Sequence, residues 1–292
     1  MASSSSASSS SSSSFFYTPV NFVISVRDLL LFHKADRAAY DRLVTLGTSP
    51  TVARNVVALL MWLENTGIDA LAHLRLHASN PAVVLRLVAD AEAILNCVRS
   101  DGPPRQPPAL GALGAIPLIA SLASHPLDLH FFHRHRDAAV QGLTYHLIRI
   151  GPVIFHDGLQ ATLTSYDAAE AEARRRNLSP PPLPPELARP YMDAVAELST
   201  AAEDERSIFI TFSRGYPLSQ GDIEEYFSSK WGKCVEKVTV ARSASAVAPV
   251  YGKVVFKNVA YLGLVLNGMD LVKFTIKGKQ MWARKYEQRG NN

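Results

Sequence analysis

The sequence predicts an all-α N-terminal domain followed by a smaller α+β domain with the element order βαββαβ. Three observations carry that expectation. Between Phe15 and Ala173 apolar residues recur at three- and four-residue steps, punctuated by Ser-Pro and Asn-Pro pairs. Beyond Arg206 the period falls to two, in short runs such as Ser207-Ile-Phe-Ile-Thr-Phe212 and Val250–Phe256. Between the two regions lies Ser179-Pro-Pro-Pro-Leu-Pro-Pro185, which can neither continue a helix nor enter a sheet interior.

At 292 residues, 47% hydrophobic and 19% charged, the chain is long enough for two domains with their own cores. The expected division is a serine-rich tail (1–14), a helical domain (15–173), a proline-rich linker with a short helix (174–203), the α+β domain (204–288) and a short tail (289–292). No apolar run reaches the ~18 residues that cross a bilayer, so no membrane partner is expected. Cys97 and Cys234 fall in different expected domains and suggest no disulfide framework. A reducing nucleus or cytoplasm is the expected location. The serine tract from Ala2 to Ser14 lacks acids, as plastid transit peptides do, but it also lacks any basic residue before Arg27. It reads as a disordered tail open to phosphorylation.

In the helical region, Asp28–Leu46 carries Leu29, Leu30, Phe32, Ala39, Tyr40, Leu43 and Val44 at mixed three- and four-residue steps, closed by Gly47. Ser49-Pro50 reads as a cap and first helical residue, opening a helix to about Asn65 with Val52, Val56, Leu59, Leu60 and Leu63 buried. Asn80-Pro81 repeats the signal for a helix through Val84, Leu85, Val88, Ala91 and Leu95. Asp101–Pro108 reads as a loop, and His125-Pro126 as a third start, with an interruption at Gly151-Pro152. The start signals lie 31 and then 45 residues apart, too uneven for a solenoid repeat, so one irregular helical domain is expected. The proline run reads as a stiff spacer, with a ligand for a proline-binding module as the alternative, and Tyr191–Thr200 as a short helix.

In the last region Ser207–Phe212 reads as strand one, with Ile208 and Ile210 on one face and Phe209 and Thr211 on the other. Ser219 with Asp222 forms a capping box for a helix carrying Ile223, Tyr226 and Phe227, stopped at Trp231-Gly232. Cys234–Ala241 is strand two, with Lys237 and Thr239 outward. Strand three places Gly252, Val254 and Phe256 inward and Tyr251, Lys253 and Val255 outward, and a flexible Ser243–Ala248 loop precedes it. A helix through Val259, Leu262 and Leu266 ends at Asn267-Gly268. Val272–Ile276 and Gln280–Tyr286 then form a hairpin about Lys277-Gly278, the second arm being strand four.

Ile-Phe-Ile in strand one, Tyr251-Gly-Lys-Val-Val-Phe256 in strand three and Leu266-Asn-Gly268 before strand four make residues 206–286 similar to the RNA-recognition-motif (RRM) family. The resemblance implies a ferredoxin-like sheet whose open face stacks bases of single-stranded RNA. Carried over by position, Phe209 is the stacking aromatic of strand one and Tyr251 the first of strand three. Lys253 stands where the family has its second strand-three aromatic. Trp282 and Arg284 share the open face. The candidate RNA-binding set is therefore Phe209, Thr211, Lys237, Thr239, Tyr251, Lys253, Trp282 and Arg284, with Lys237, Lys253 and Arg284 addressing phosphates.

The formal charge of +4 is modest, but twelve Lys or Arg and only three acids lie from Lys230 onward, which concentrates the positive field in this domain. The alternative is an RRM-fold module that binds protein, or the chain's own helical half, without RNA. The helical domain is expected to contact a protein partner. No cofactor, metal site or catalytic residue is expected. His125, His130, His133 and His135 lack an accompanying carboxylate pair, and Arg134 and Arg136 repel a cation there. His73 and His77, one helical turn apart, read as core-edge residues. No Gly-rich phosphate loop, Gly-x-Ser-x-Gly or His-Glu-x-x-His occurs, so an enzyme is not expected.

Overall fold

Local signals open several of the helices in a computed structural model of the protein, which describes residues 23–100, 102–104, 115–212, 217–241 and 250–287. Ser25 and Asp28 form a capping box that starts α1 (Val26–Phe32), two residues earlier than expected from Asp28. The single helix expected to Leu46 is two helices. The backbone leaves helical geometry at His33, whose Nδ1 meets Asp36 Oδ2 at 2.5 Å in a buried pair, and α2 (Lys34–Thr45) follows. Ser49 and Asn80 cap α3 (Pro50–Asn65) and α5 (Pro81–Arg99) through their side-chain oxygens. Asp69 caps α4 (Ala70–Leu76) between them.

Two expected punctuation marks do not act as such. His125-Pro126 opens nothing. α6 (Pro117–Leu122) precedes it, and α7 (Leu129–Arg134) starts at Asp128, whose Oδ1 accepts from Phe131 N–H at 2.9 Å. Gly151-Pro152 does not interrupt the helix after α8 (Arg136–Tyr145). The chain widens into a π turn over His146–Ile150 and runs straight into α9 (Gly151–Ile154). A proline ring clashes with the carbonyl four residues back in a regular helix, and a wider turn relieves that clash.

After α10 (Asp157–Arg175), the proline run is docked and not a free spacer. Tyr166 Oη donates to Pro181 O, and Leu183 packs on the core. Then α11 (Pro185–Ala188) buries Leu187, and α12 (Tyr191–Leu198) follows. Between them Val26 N–H donates to Arg189 O and Tyr191 N–H to Ile24 O, stitching the segment to the start of α1. Prolines carry no N–H to satisfy, so such a run can lie on a helix with few orphaned donors.

Among the described residues the C-terminal part holds one antiparallel sheet in the order β2-β3-β1-β5-β4: β1 (Ser207–Phe212), β2 (Val235–Val240), β3 (Tyr251–Phe256), β4 (Val272–Ile276) and β5 (Lys279–Lys285). α13 (Gln220–Trp231) links β1 to β2, and α14 (Val259–Leu266) links β3 to β4. Both ends of α13 follow the sequence signals: Ser219 and Asp222 exchange cap hydrogen bonds, and Gly232 leaves it at φ 71°. Lys277 and Gly278 both take positive φ (48° and 78°), the geometry of a tight hairpin turn between β4 and β5. The Ser243–Ala248 loop, most of 101–108, the serine tract and 289–292 lie outside the described residues.

The sheet's inner side, Ile208, Ile210, Val254, Phe256, Phe274 and Met281, packs under α13 and α14. Those helices in turn pack on the helical half, α13 against α8 and α14 against α3, so buried apolar residues of both halves join in one continuous cluster. α3 is buried nearly all round, as Val56–Leu63 being apolar throughout requires. Asn55, 2% exposed, is its polar exception: Nδ2 donates to Gly263 O (3.0 Å) and to Asn267 Oδ1 (2.8 Å) at the end of α14.

Two outcomes are expected. Asn55→Ala removes two hydrogen bonds, taking from the buried Asn267 Oδ1 its donor while Gly263 O keeps the Asn267 N–H, and lowers stability by about 1–3 kcal/mol. Urea unfolding of the full chain, followed by circular dichroism and by tryptophan fluorescence, stays a single coincident transition; separate transitions for the two halves would contradict the shared core. Acid also destabilises the protein through His146, 7% exposed, whose pKa is lowered by burial and then by the neighbouring His33, while Asp36 opposes. The unfolded chain takes up this proton first, so stability present above pH ~6.5 declines as pH falls below it, and His146→Leu flattens that part of the pH–stability curve.

Candidate nucleic-acid interface

The outer face of the sheet is the side with no helix on it among the described residues, and pairing registers fix what stands beside what. One row across the strands reads Thr239–Lys253–Phe209–Arg284, and the next reads Tyr251–Thr211–Trp282–Lys273. Lys237 lies in a third row with Val255 and Ser207. All eight candidate residues thus lie on one surface. Lys273 was missed, although the Lys277-Gly278 turn fixes its place opposite Trp282.

Phe209 and Tyr251 stack with ring centroids 5.9 Å apart and planes inclined by 28°. Tyr251 is 50% exposed, Trp282 39%, and Phe209 half-buried. The Arg284 guanidinium carbon sits 5.2 Å from the Phe209 ring centre, and Lys273 Nζ lies 5.5 Å from that of Trp282. Cation–π contact of this kind holds charges beside rings without burying either. Two exposed rings and the half-buried Phe209, flanked by Arg284, Lys273 and Lys237, can stack flat apolar rings and attract anions at the same time.

Lys253 behaves otherwise. Its Nζ is bound by Asp204 (2.6 Å) and Glu203 (2.9 Å) and lies 4.3 Å from the Tyr286 ring centre. Burial alone would lower its pKa, but the hydrogen bonds it donates to the two carboxylates outweigh that and hold the ammonium above its ordinary range. The hydrogen bond from Lys253 correspondingly holds the Glu203 carboxyl low. The phosphate role expected for Lys253 is therefore filled in this structure by the chain's own carboxylates. The turn Asp204–Arg206 that brings them packs on β3, where Ser207 Oγ donates to Glu203 O and Arg206 bonds Phe256 O and Glu236. Val255 points outward yet is only 1% exposed, so this end of the face is closed.

The other clusters do less. Among the described residues no three His, Cys, Asp or Glu side chains converge as metal ligands would. His73 and His77 rings lie 4.4 Å apart, and His125 and His135 each pack on Phe131. Burial pushes the Cys234 thiol up to about 12, far from a reactive thiolate. No helix of the described residues is long and apolar enough to cross a membrane.

The carboxylate clamp has a direct check. Lys253 is expected to react more slowly with an amine-acylating reagent than Lys273, and Glu203→Gln with Asp204→Asn is expected to erase the difference; equal rates in the unaltered protein would show that the clamp does not persist in solution. Comparison with family models, curated proteins and solved structures found no match to this chain.

Proposed function

We propose that the outer sheet face binds single-stranded RNA, by stacking of bases on Tyr251, Phe209 and Trp282 and by attraction of phosphates to Lys237, Lys273 and Arg284. The observation that carries this is the stacked, solvent-facing Phe209–Tyr251 pair on adjacent antiparallel strands. The strand order β2-β3-β1-β5 with both helices on one side supports a ferredoxin-like domain of the RRM type, extended by β4 as an extra edge strand. Thr211 and Thr239 supply hydroxyls between the rings and charges. The helical half buttresses the domain from behind, and protein contact is its outward role in this proposal, supported by Phe32, 82% exposed on α1.

One observation favours a second function. Lys253 is already neutralised and its end of the face closed, which suits an RRM-type module that binds a protein segment and no RNA.

Titrating labelled single-stranded RNA pools against the full chain separates the two. Base stacking contributes roughly 1–3 kcal/mol per base, so Phe209→Ala with Tyr251→Ala is expected to weaken binding at least ten-fold at moderate salt. No binding by the unaltered protein, or no loss in the double variant, removes the RNA proposal. Capture of a protein that survives nuclease treatment and depends on the same two rings would favour the second.

A further inference from the structure

The outer face ends at an edge on the β5 side. β4 pairs with β5 from Val272–Ala283 to Ile276–Lys279, so Arg284 and Lys285 run past it with β1 alone beside them among the described strands. Successive strand residues point to opposite sides. Arg284 lies over Phe209 on the outer face, and Lys285 turns to the other side, where it lines a cleft between the two halves of the molecule.

This cleft has a volume of about 410 Å³, within the usual ~300–1,000 Å³ of ligand sites. Leu147, Phe155 and Leu262 give it apolar walls, and Arg54 of α3 reaches it from the helical half. Unlike Lys253, neither Arg54 nor Lys285 has a carboxylate within ion-pair distance among the described residues; the Arg54 guanidinium rests 5.9 Å from the Tyr40 ring centre. His156 also lines the cleft. Its Nδ1 accepts from Leu159 N–H at 3.1 Å, which leaves the neutral ring's proton on Nε2 as a donor. Glu205 is the one carboxylate in the lining and offsets part of the charge, so the cleft is weakly cationic.

We propose that this cleft is a second phosphate-binding station, on which a single-stranded RNA continues after leaving the sheet over the Arg284–Lys285 edge. This rests on the sheet face binding RNA as proposed above. The charges give the direction. Toward β3 a phosphate meets Glu203 and Asp204, which already hold Lys253; toward β5 it meets Arg284, loosely paired at 3.8 Å with the exposed Glu287, then Lys285 and Arg54. Arg54 offers a planar fork of donors to a phosphodiester, Lys285 a point charge, and the apolar walls accept the attached base. The helical half then holds the nucleic acid itself.

Two RNAs of about four and about twelve nucleotides, titrated against the full chain, test this. Each phosphate contact on a single strand lowers the salt slope by ~0.7 when lost, which is roughly five-fold in affinity near 0.1 M salt. Arg54→Gln and Lys285→Gln are each expected to cost about that much for the longer RNA and nothing for the shorter. Arg54→Lys is expected to restore most of the loss, and both side chains are exposed, so unfolding midpoints should stay unchanged. If both RNAs bind and depend on Phe209 and Tyr251 while the cleft variants match the unaltered protein, the continuation is wrong and the sheet proposal stands. Equal losses for both lengths would also overturn it. If neither RNA binds, both proposals fall together.

Discussion

The contact of α3 with α14 decides which surfaces this protein can offer. A two-faced sheet with two helices on one side would ordinarily leave the backs of those helices in water. Here they are taken by the helical half, through apolar packing along α3 and α8. Apolar surfaces alone would tolerate sliding. The Asn55 amide does not, because one alignment alone gives it both the Gly263 carbonyl and the Asn267 side chain. Asn267 itself is held in the left-handed conformation that ends α14. A single buried polar link thus fixes the placement of the helices, and with them the orientation of the uncovered side of the sheet.

Charge by count and charge that is available differ in this molecule. Part of the basic excess from Lys230 onward is already paired: Lys277 with Asp222 and Glu225, Lys253 with Glu203 and Asp204, and Arg284 more loosely with Glu287. The cations left beside the exposed rings are few, and two of them lie against those rings. Such a surface has more π-face than field. Its attraction for a polyanion would be moderate and would depend on stacking, while the junction cleft adds two cations, Arg54 and Lys285, with no carboxylate at ion-pair distance among the described residues.

The strands, their inward and outward residues, the capping box at Ser219 and the turn at Lys277-Gly278 were legible in the sequence, because each is set by neighbours within a few residues. So was the candidate face, since alternation fixes which side a strand residue takes. What was not legible depends on partners far along the chain. The break at His33 needs the buried Asp36 pair, and the continuous helix through Pro152 needs the π turn before it. The docked proline run needs α1 and α10. The clamp on Lys253 was hidden because Glu203-Asp204-Glu205 fell at a linker boundary, where an acidic triplet reads as solvated chain. Asn55 stands at the start of the apolar run Val56–Leu63, and its partners Gly263 and Asn267 lie 208 and 212 residues further along the chain.

The docked proline run has a consequence for how the polypeptide can be divided. A protease nick within residues 180–184 would break the backbone but leave the fragments held together by the packing beneath, so their separation would need denaturant. Splitting the coding sequence at the same apparent boundary would be worse: each product would carry a broad greasy flank with nothing to cover it. Two modules by pattern, the protein packs as one.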